Sequence, residues 1–165
     1  MIVKSLKEIE YLAKHQLEIG ILAIDKSLMG EDGKTTILNY AIWNEFGTSD
    51  IPARPFMRNA FDSNRGIISN LIQVAPKKVI KGEKSGKEAL MEIGETIRGL
   101  IIQSIATAQA WAVPNDPKTL KIKTKNGQTN NTKPLLDNRF LIKSIRYQIV
   151  NENGTIEYLA DFKDV

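Results

Sequence analysis

The feature that most constrains the fold is a helical repeat of apolar residues that runs from Lys87 to about Trp111. Large aliphatic side chains recur every three or four positions, and polar side chains occupy the opposite face. The aliphatic stripe consists of Leu90, Ile93, Ile97, Ile101 and Ile105. Ser85 and Glu88 precede it with the spacing of a capping box, so the pattern predicts a long helix with a defined start.

A second helix, of about 18–20 residues, is predicted to begin at Pro55 and to pack antiparallel to the first. Pro55 suits the first helical position, where its missing amide hydrogen costs nothing. The apolar face carries Met57, Phe61, Ile68 and Leu71, and the polar face carries Arg58, Asp62, Arg65 and Ser69. Gly66 weakens such a helix by about 1 kcal/mol relative to alanine and therefore permits a bend.

Three shorter helical segments are also indicated. A capping box at Ser5 and Glu8 predicts a helix from about Ser5 to Lys14. Apolar residues spaced by three and four predict another helix over Thr36–Phe46, ended by Gly47. One helical turn is predicted within Leu135–Leu141.

The remaining apolar segments have the pattern of strands. The stretch Leu17–Ile24 is rich in β-branched residues and too short for a helix, so we predict a strand that is at least half buried. Ile145–Ile149 alternates between apolar and polar residues, Asn153-Gly154 is typical of a hairpin turn, and Thr155–Phe162 resumes a strand-like pattern. The expected fold class is α+β, in one domain over residues 1–165: a small antiparallel sheet, made of the early strand and the C-terminal hairpin, packed against two long helices.

Composition excludes several kinds of enzyme. The 165 residues include no cysteine and one histidine, His15, which removes thiolate catalysis, iron–sulfur clusters and multi-histidine metal sites. No phosphate-binding glycine loop, HExxH motif or EF-hand loop is present. Glu45, Asp50, Asp116 and Asp137 show no spacing typical of a metal site. We therefore expect no catalytic residue, no cofactor and no metal.

Membrane segments are not expected either. No stretch approaches about 18 consecutive apolar residues, and the N-terminal residues are charged throughout. We therefore expect neither a membrane-spanning helix nor a secretory signal, and synthesis in a cytosol-like compartment.

Positive charge is concentrated in one part of the chain. Between Asp116 and Arg146 there are eight Lys or Arg residues and two Asp residues. Periodicity disappears between residues 112 and 134, which predicts a long basic loop, and loops of that length are usually functional or ordered by a partner. The candidate contacts to DNA or to a partner are Lys118, Lys121, Lys123, Lys125 and Lys133. The alternative is a solvated, lysine-rich loop.

Aromatic and arginine residues cluster between residues 43 and 61. Core packing is the default interpretation of such a cluster. The other interpretation is an anchor in a protein interface, since Trp, Phe and Arg are enriched there. The interface candidates are Trp43, Phe46, Arg54, Phe56 and Arg58.

The order of motifs resembles that of a family of neck and tail-completion proteins of tailed bacteriophages. The resemblance is carried first by Ala41–Thr48 (AIWNEFGT) and Ile51–Arg58 (IPARPFMR). Further similar segments follow in order: Trp111, Pro114-Asn115, Thr119-Leu120 and Lys123, then Lys133–Asn138 and Ser144–Tyr147, with an early strand ending in Gly20-Ile21-Leu22. Asp137-Asn138-Arg139 departs from the Asp-Thr-Gly of many relatives, which makes a tight turn there less favourable.

The resemblance implies a virion-assembly protein with an α+β fold and no catalytic residues. Such a protein acts as a head-tail connector, neck, tail-completion or minor tail component, assembled in the cytoplasm of the bacterial host and located in the virion. Its implied partners are other copies of itself in a ring, sixfold to match a tail tube, and the terminator, connector or tube proteins. The alternative function is a nucleic-acid-binding module that uses the lysine-rich residues 118–133 for non-specific contact with DNA.

Overall fold

The computed structural model describes residues 2–30, 32–125, 132, 134–135 and 140–162. Within them the fold is α+β, which confirms the predicted class. The helices are α1 Ile2–Lys14, α2 Ile37–Phe46, α3 Phe56–Ser63, α4 Arg65–Ile80, α5 Gly86–Ala106, α6 Ala108–Trp111, α7 Pro117–Lys125 and α8 Phe140–Ser144. The strands are β1 His15–Gly20, β2 Arg146–Asn151 and β3 Ile156–Leu159. No helix in this part of the chain is long and apolar enough to cross a membrane.

Helix α5 is the centre of the fold, as its apolar stripe predicts. It contacts α1, α3, α4, β1 and β2, and its residues Ile97, Ile101 and Ile105 are buried in the main core. The predicted capping box is confirmed, because Ser85 Oγ accepts from the amide of Glu88 and the Glu88 carboxylate accepts from the amide of Ser85. The helix ends at Ala106, earlier than predicted, and the turn at Thr107 leads into α6.

The Ser85 cap yields a first prediction. Replacing Ser85 by Ala removes the oxygen that accepts from the Glu88 amide at 3.2 Å, and should lower the free energy of unfolding by about 1 kcal/mol. Urea titration followed by circular dichroism measures the change. Ser85→Thr keeps a hydroxyl acceptor at the same position, so it should retain most of the stability. An equal loss in both variants would contradict the role of the cap.

The second predicted helix is in fact two helices, α3 and α4, and the break lies at Asn64 rather than at Gly66. The Asn64 side-chain amide donates to the carbonyl oxygen of Ala60 at 2.8 Å, which satisfies a terminal carbonyl of α3. The antiparallel packing on α5 is confirmed. Asn59 of α3 bonds to Ser104 near the end of α5, while Lys78 of α4 pairs with Glu92 near its start.

The N-terminal helix also differs from its prediction. Helix α1 begins at Ile2, so Ser5 lies inside the helix and does not form the predicted N-cap. Its hydroxyl instead donates to the carbonyl oxygen of Ile80 at 3.3 Å, and so joins α1 to the end of α4. A Ser-x-x-Glu pattern identifies a helix start only where the preceding residues are not helical.

The sheet has the strand order β1-β2-β3, and both neighbouring pairs are antiparallel. Leu17 of β1 pairs with Ile149 of β2, which pairs in turn with Tyr158 of β3. Strands β2 and β3 form the predicted hairpin, which is therefore confirmed. Strand β1 covers His15–Gly20 rather than residues 17–24. Gly20, with φ of 141°, ends it before a 3-10 turn at Ala23–Asp25. That turn is fixed to the sheet by the buried ion pair between Asp25 and Arg146, 2.9 Å apart.

The predicted loop over residues 112–134 is wrong for its central part, because residues 117–125 form helix α7. Asp116 accepts from the amide of Lys118 at 2.8 Å, and Pro117 occupies the first helical position. A helical turn was predicted over residues 135–141, but helix α8 lies at Phe140–Ser144. Residues 126–131, 133 and 136–139, which include the turn predicted at Asp137-Asn138-Arg139, lie outside the described residues.

Candidate functional site

The segment that carries the strongest sequence motif folds around the side chain of Glu45. This buried carboxylate, at the end of α2, reaches the N-terminus of α3 across the intervening loop. Its Oε2 accepts from the amide of Met57 at 2.9 Å, and its Oε1 accepts from the amide and the Nε of Arg58 at 3.2 and 3.0 Å. Glu45 therefore satisfies amides that α3 itself leaves without a partner, and holds α2 and α3 together.

The loop between the two helices is shaped by Gly47 and Thr48. Gly47 ends α2 with φ of 78°, and a Cβ atom there would lie 3.1 Å from the carbonyl oxygen of Ile51. Thr48 Oγ1 accepts from the amide of Ile51 at 3.0 Å, and the amide of Thr48 donates to the Ile51 carbonyl at 2.8 Å. These contacts return the chain to α3 and explain why glycine and threonine follow Glu-Phe.

Arg54 connects this loop to the chain beyond α6. Its Nε donates to the carbonyl oxygen of Val113 at 2.8 Å, and its Nη2 donates to that of Pro114 at 3.1 Å. Its Nη1 reaches Asn44 Oδ1 at 3.4 Å. Burial lowers the pKa of the Arg54 guanidinium from its usual value. We call the unit formed by Glu45, Gly47, Thr48, Arg54 and Arg58 the clasp.

Two of the five interface candidates belong to the interior. Phe56 is only 1% exposed and Arg54 only 7%, so the structure places both side chains in the interior rather than at the surface of the chain. Phe56 packs in the main core, and its carbonyl oxygen accepts from Ser104 Oγ at 2.8 Å. Arg54 is buried because its donors are used by backbone carbonyls, which compensates the cost of removing its charge from water.

The other three candidates lie together at the surface. Phe46 is 68% exposed, and the guanidinium carbon of Arg58 lies 5.3 Å from the centre of its ring. Trp43 is partly exposed on the same helix, as is Ile42, which was not among the predicted residues. The signal for Ile42 was present, because Ile37, Tyr40 and Ala41 form the core face of α2 and leave residues 42, 43 and 46 outside it. We call Ile42, Trp43, Phe46 and Arg58 the α2 surface.

The lysine candidates are brought together by α7. Lys118, Lys121 and Lys125 are exposed on this helix. Their spacing of three and four residues places them on one side of it. The side chain of Lys123 and the whole of Lys133 lie outside the described residues.

A shallow groove of about 290 Å³ lies between α3 and the C-terminal end of α5. Its lining is uncharged and combines polar residues with Ala60, Leu100 and Trp111, and several of its polar groups already bond to one another. Ser104 Oγ accepts from Asn59, and the Trp111 indole donates to the Ser104 carbonyl at 3.0 Å. No group of three or more His, Asp or Glu residues that could hold a metal ion occurs in the described part of the chain.

Comparison of the chain with family models, with curated proteins and with solved structures finds no match in any of the three.

Proposed function

We propose that this chain is a structural virion-assembly protein of a tailed phage or prophage. It acts as a ring subunit in the head-tail connector or neck, or completes the tail. The observation that supports this best is the clasp. The residues that resemble the neck and tail-completion motif form one hydrogen-bonded unit, and that unit presents Phe46 and Arg58 to solvent.

The exposed side chains fit the needs of a ring subunit. A closed ring of identical chains uses two different surfaces, one meeting the other on the next copy. The α2 surface combines Trp, Phe and Arg, which often dominate the binding energy of protein interfaces. Helix α4 exposes Ile67 and Ile72, one on each flank of its buried side, and we assign this helix the role of the second surface.

The proposed partners follow from this position in the particle. They are sister copies in a sixfold ring and the adjoining terminator, connector or tube proteins. The protein is assembled in the cytoplasm of the bacterial host and stays in the virion at the neck or tail.

The location is tested by immunogold electron microscopy of particles from the phage that encodes the chain. Antibody raised against the purified protein should label the junction of head and tail, and native mass spectrometry of the purified chain should show a ring-sized oligomer or its complex with tails. Particles without label, together with a chain that stays monomeric in the presence of tails, would contradict the proposal.

The α2 surface is tested by replacing Phe46 with Ser. Because Phe46 is largely exposed, the variant should melt at the same temperature as the parent. Loss of a central aromatic contact should weaken association with sister copies or tails by at least about tenfold. Leu6→Ser is the matched control, since Leu6 is 63% exposed and lies on α1, outside both proposed surfaces. Equal association of the Phe46 variant and the parent would remove the α2 surface from the interface.

A further inference from the structure

We propose that the lysine face of α7, formed by Lys118, Lys121 and Lys125, binds the phosphate backbone of duplex DNA without sequence preference. The three lysines follow the i, i+3, i+7 pattern of one helical side, and all are exposed. This inference does not depend on the assembly role, since DNA binding and ring formation are measured separately and either can fail alone.

The ammonium groups of this face are available to an external anion. Helix α7 contains neither Asp nor Glu, and the carboxylate of Asp116 at its start accepts from the Lys118 backbone amide. Within the described residues, no ion pair involves these three lysines, whereas Lys14, Lys78 and Lys84 all pair with glutamates. Among the described residues, therefore, no carboxylate forms an ion pair with the ammonium groups of this face.

The chain just ahead of this face is fixed to the body of the protein. Arg54 binds the carbonyl oxygens of Val113 and Pro114, just ahead of Asp116. The Trp111 indole is fixed by its hydrogen bond to Ser104 of α5. A basic helix that follows a fixed segment loses less conformational freedom on binding than a lysine-rich loop would.

The length of the face matches the charge spacing of a duplex. Seven residues of helix separate Lys118 from Lys125, about 10 Å at 1.5 Å per residue. A duplex carries one phosphate charge per about 1.7 Å of its axis, so about six phosphates lie along that length. Three lysines therefore each have a phosphate within reach of their long side chains.

The composition of α7 favours DNA over an acidic protein as the partner. It also favours contact with the DNA phosphate backbone over contact with the base edges. Lysine is depleted in protein–protein interfaces, whereas it is a common partner of DNA phosphates. The helix, PKTLKIKTK, has no Arg, Asn or Gln, the side chains that most often read base edges. We therefore expect affinity that depends on salt and is indifferent to base sequence.

The test titrates a fluorescein-labelled 20-base-pair duplex with the full chain and follows fluorescence anisotropy. The titration is repeated between 50 and 300 mM NaCl, because the salt dependence of the affinity reports the release of counterions from the DNA. The variant K118Q/K121Q/K125Q should bind at least about tenfold more weakly at the lowest salt. It should also reduce the slope of log affinity against log salt by about 3. The matched control K26Q/K34Q/K77Q removes the same charge from three exposed lysines elsewhere and should leave the slope close to that of the parent.

Three results would overturn the proposal. They are absence of saturable binding at the lowest salt, an equal loss of affinity in the control variant, and tighter binding to a labelled 20-residue glutamate peptide than to the duplex. The last result would identify an acidic protein as the partner. Single Lys→Gln variants, each expected to lower the slope by about 0.9, give the same information if the triple variant is unstable.

Discussion

Replacing Glu45 by Gln is expected to lower the free energy of unfolding by about 2 kcal/mol. The carboxylate accepts with both oxygens, from the Met57 amide on one and from Arg58 on the other. Glutamine has the same shape but only one acceptor oxygen, so either orientation turns its NH2 group toward a donor. One or more buried donors then lose their partner.

Urea denaturation of the parent and the Glu45→Gln variant measures this loss. Glu83→Gln is the matched control, because Glu83 is exposed and its Oε1 lies 3.8 Å from Nζ of Lys81, which is also exposed. Such surface pairs contribute little, so the control should unfold like the parent. If the Glu45 variant also unfolds like the parent, the clasp does not contribute to stability.

Replacing Gly94 by Ala is expected to lower the free energy of unfolding by about 2 kcal/mol, although alanine is the better helix former. A Cβ atom at position 94 would lie 2.5 Å from Cδ2 of Tyr147. Tyr147 is buried on β2, and its ring also contacts that of Tyr158. The ring therefore cannot move aside without disturbing the packing between α5 and the sheet.

Gly99 of the same helix provides the control. A Cβ atom there meets nothing within 4 Å, so Gly99→Ala should gain the helical propensity alone, about 0.5–1 kcal/mol of stability. Thermal unfolding of both variants should thus give shifts of opposite sign. Shifts of the same sign would show that Tyr147 does not limit the approach of α5 to the sheet.

Much of the fold follows from periodicity and caps. The stripe of α5, the Ser85 cap and the Asn153-Gly154 hairpin are local patterns, and the structure has all three. The predicted start of α1 is wrong because Ser5 bonds to Ile80, a residue distant in sequence, instead of capping the helix. The break at Asn64 was not predicted because it involves a single side-chain amide, which bonds to Ala60. Helix α7 was not predicted because its sequence, rich in lysine, shows no apolar periodicity. Asp116-Pro117 is nevertheless a common helix start.

The candidate site was predictable only in part. The sequence favoured an aromatic and arginine cluster, and the core face of α2 leaves Phe46 outside it. The burial of Phe56 was not predictable in the same way, since it depends on how the start of α3 packs against the core. Glu45 belongs to the Ala41–Thr48 motif and shows no spacing typical of a metal site, and neither observation predicts a helix cap. Its role as a cap for α3 depends on a loop that returns the chain to the same place, and no spacing rule identifies such a contact.

The bonds from Arg54 to Val113 and Pro114 have a mechanical consequence. They join the clasp, which supports the α2 surface, to the segment that leads into α7. A large assembly that engages both regions would meet them joined by a short stretch of chain, residues 115–116. Binding at one region then raises the effective concentration of the assembly at the other, and the gain from such bivalent attachment is large when the linker is short.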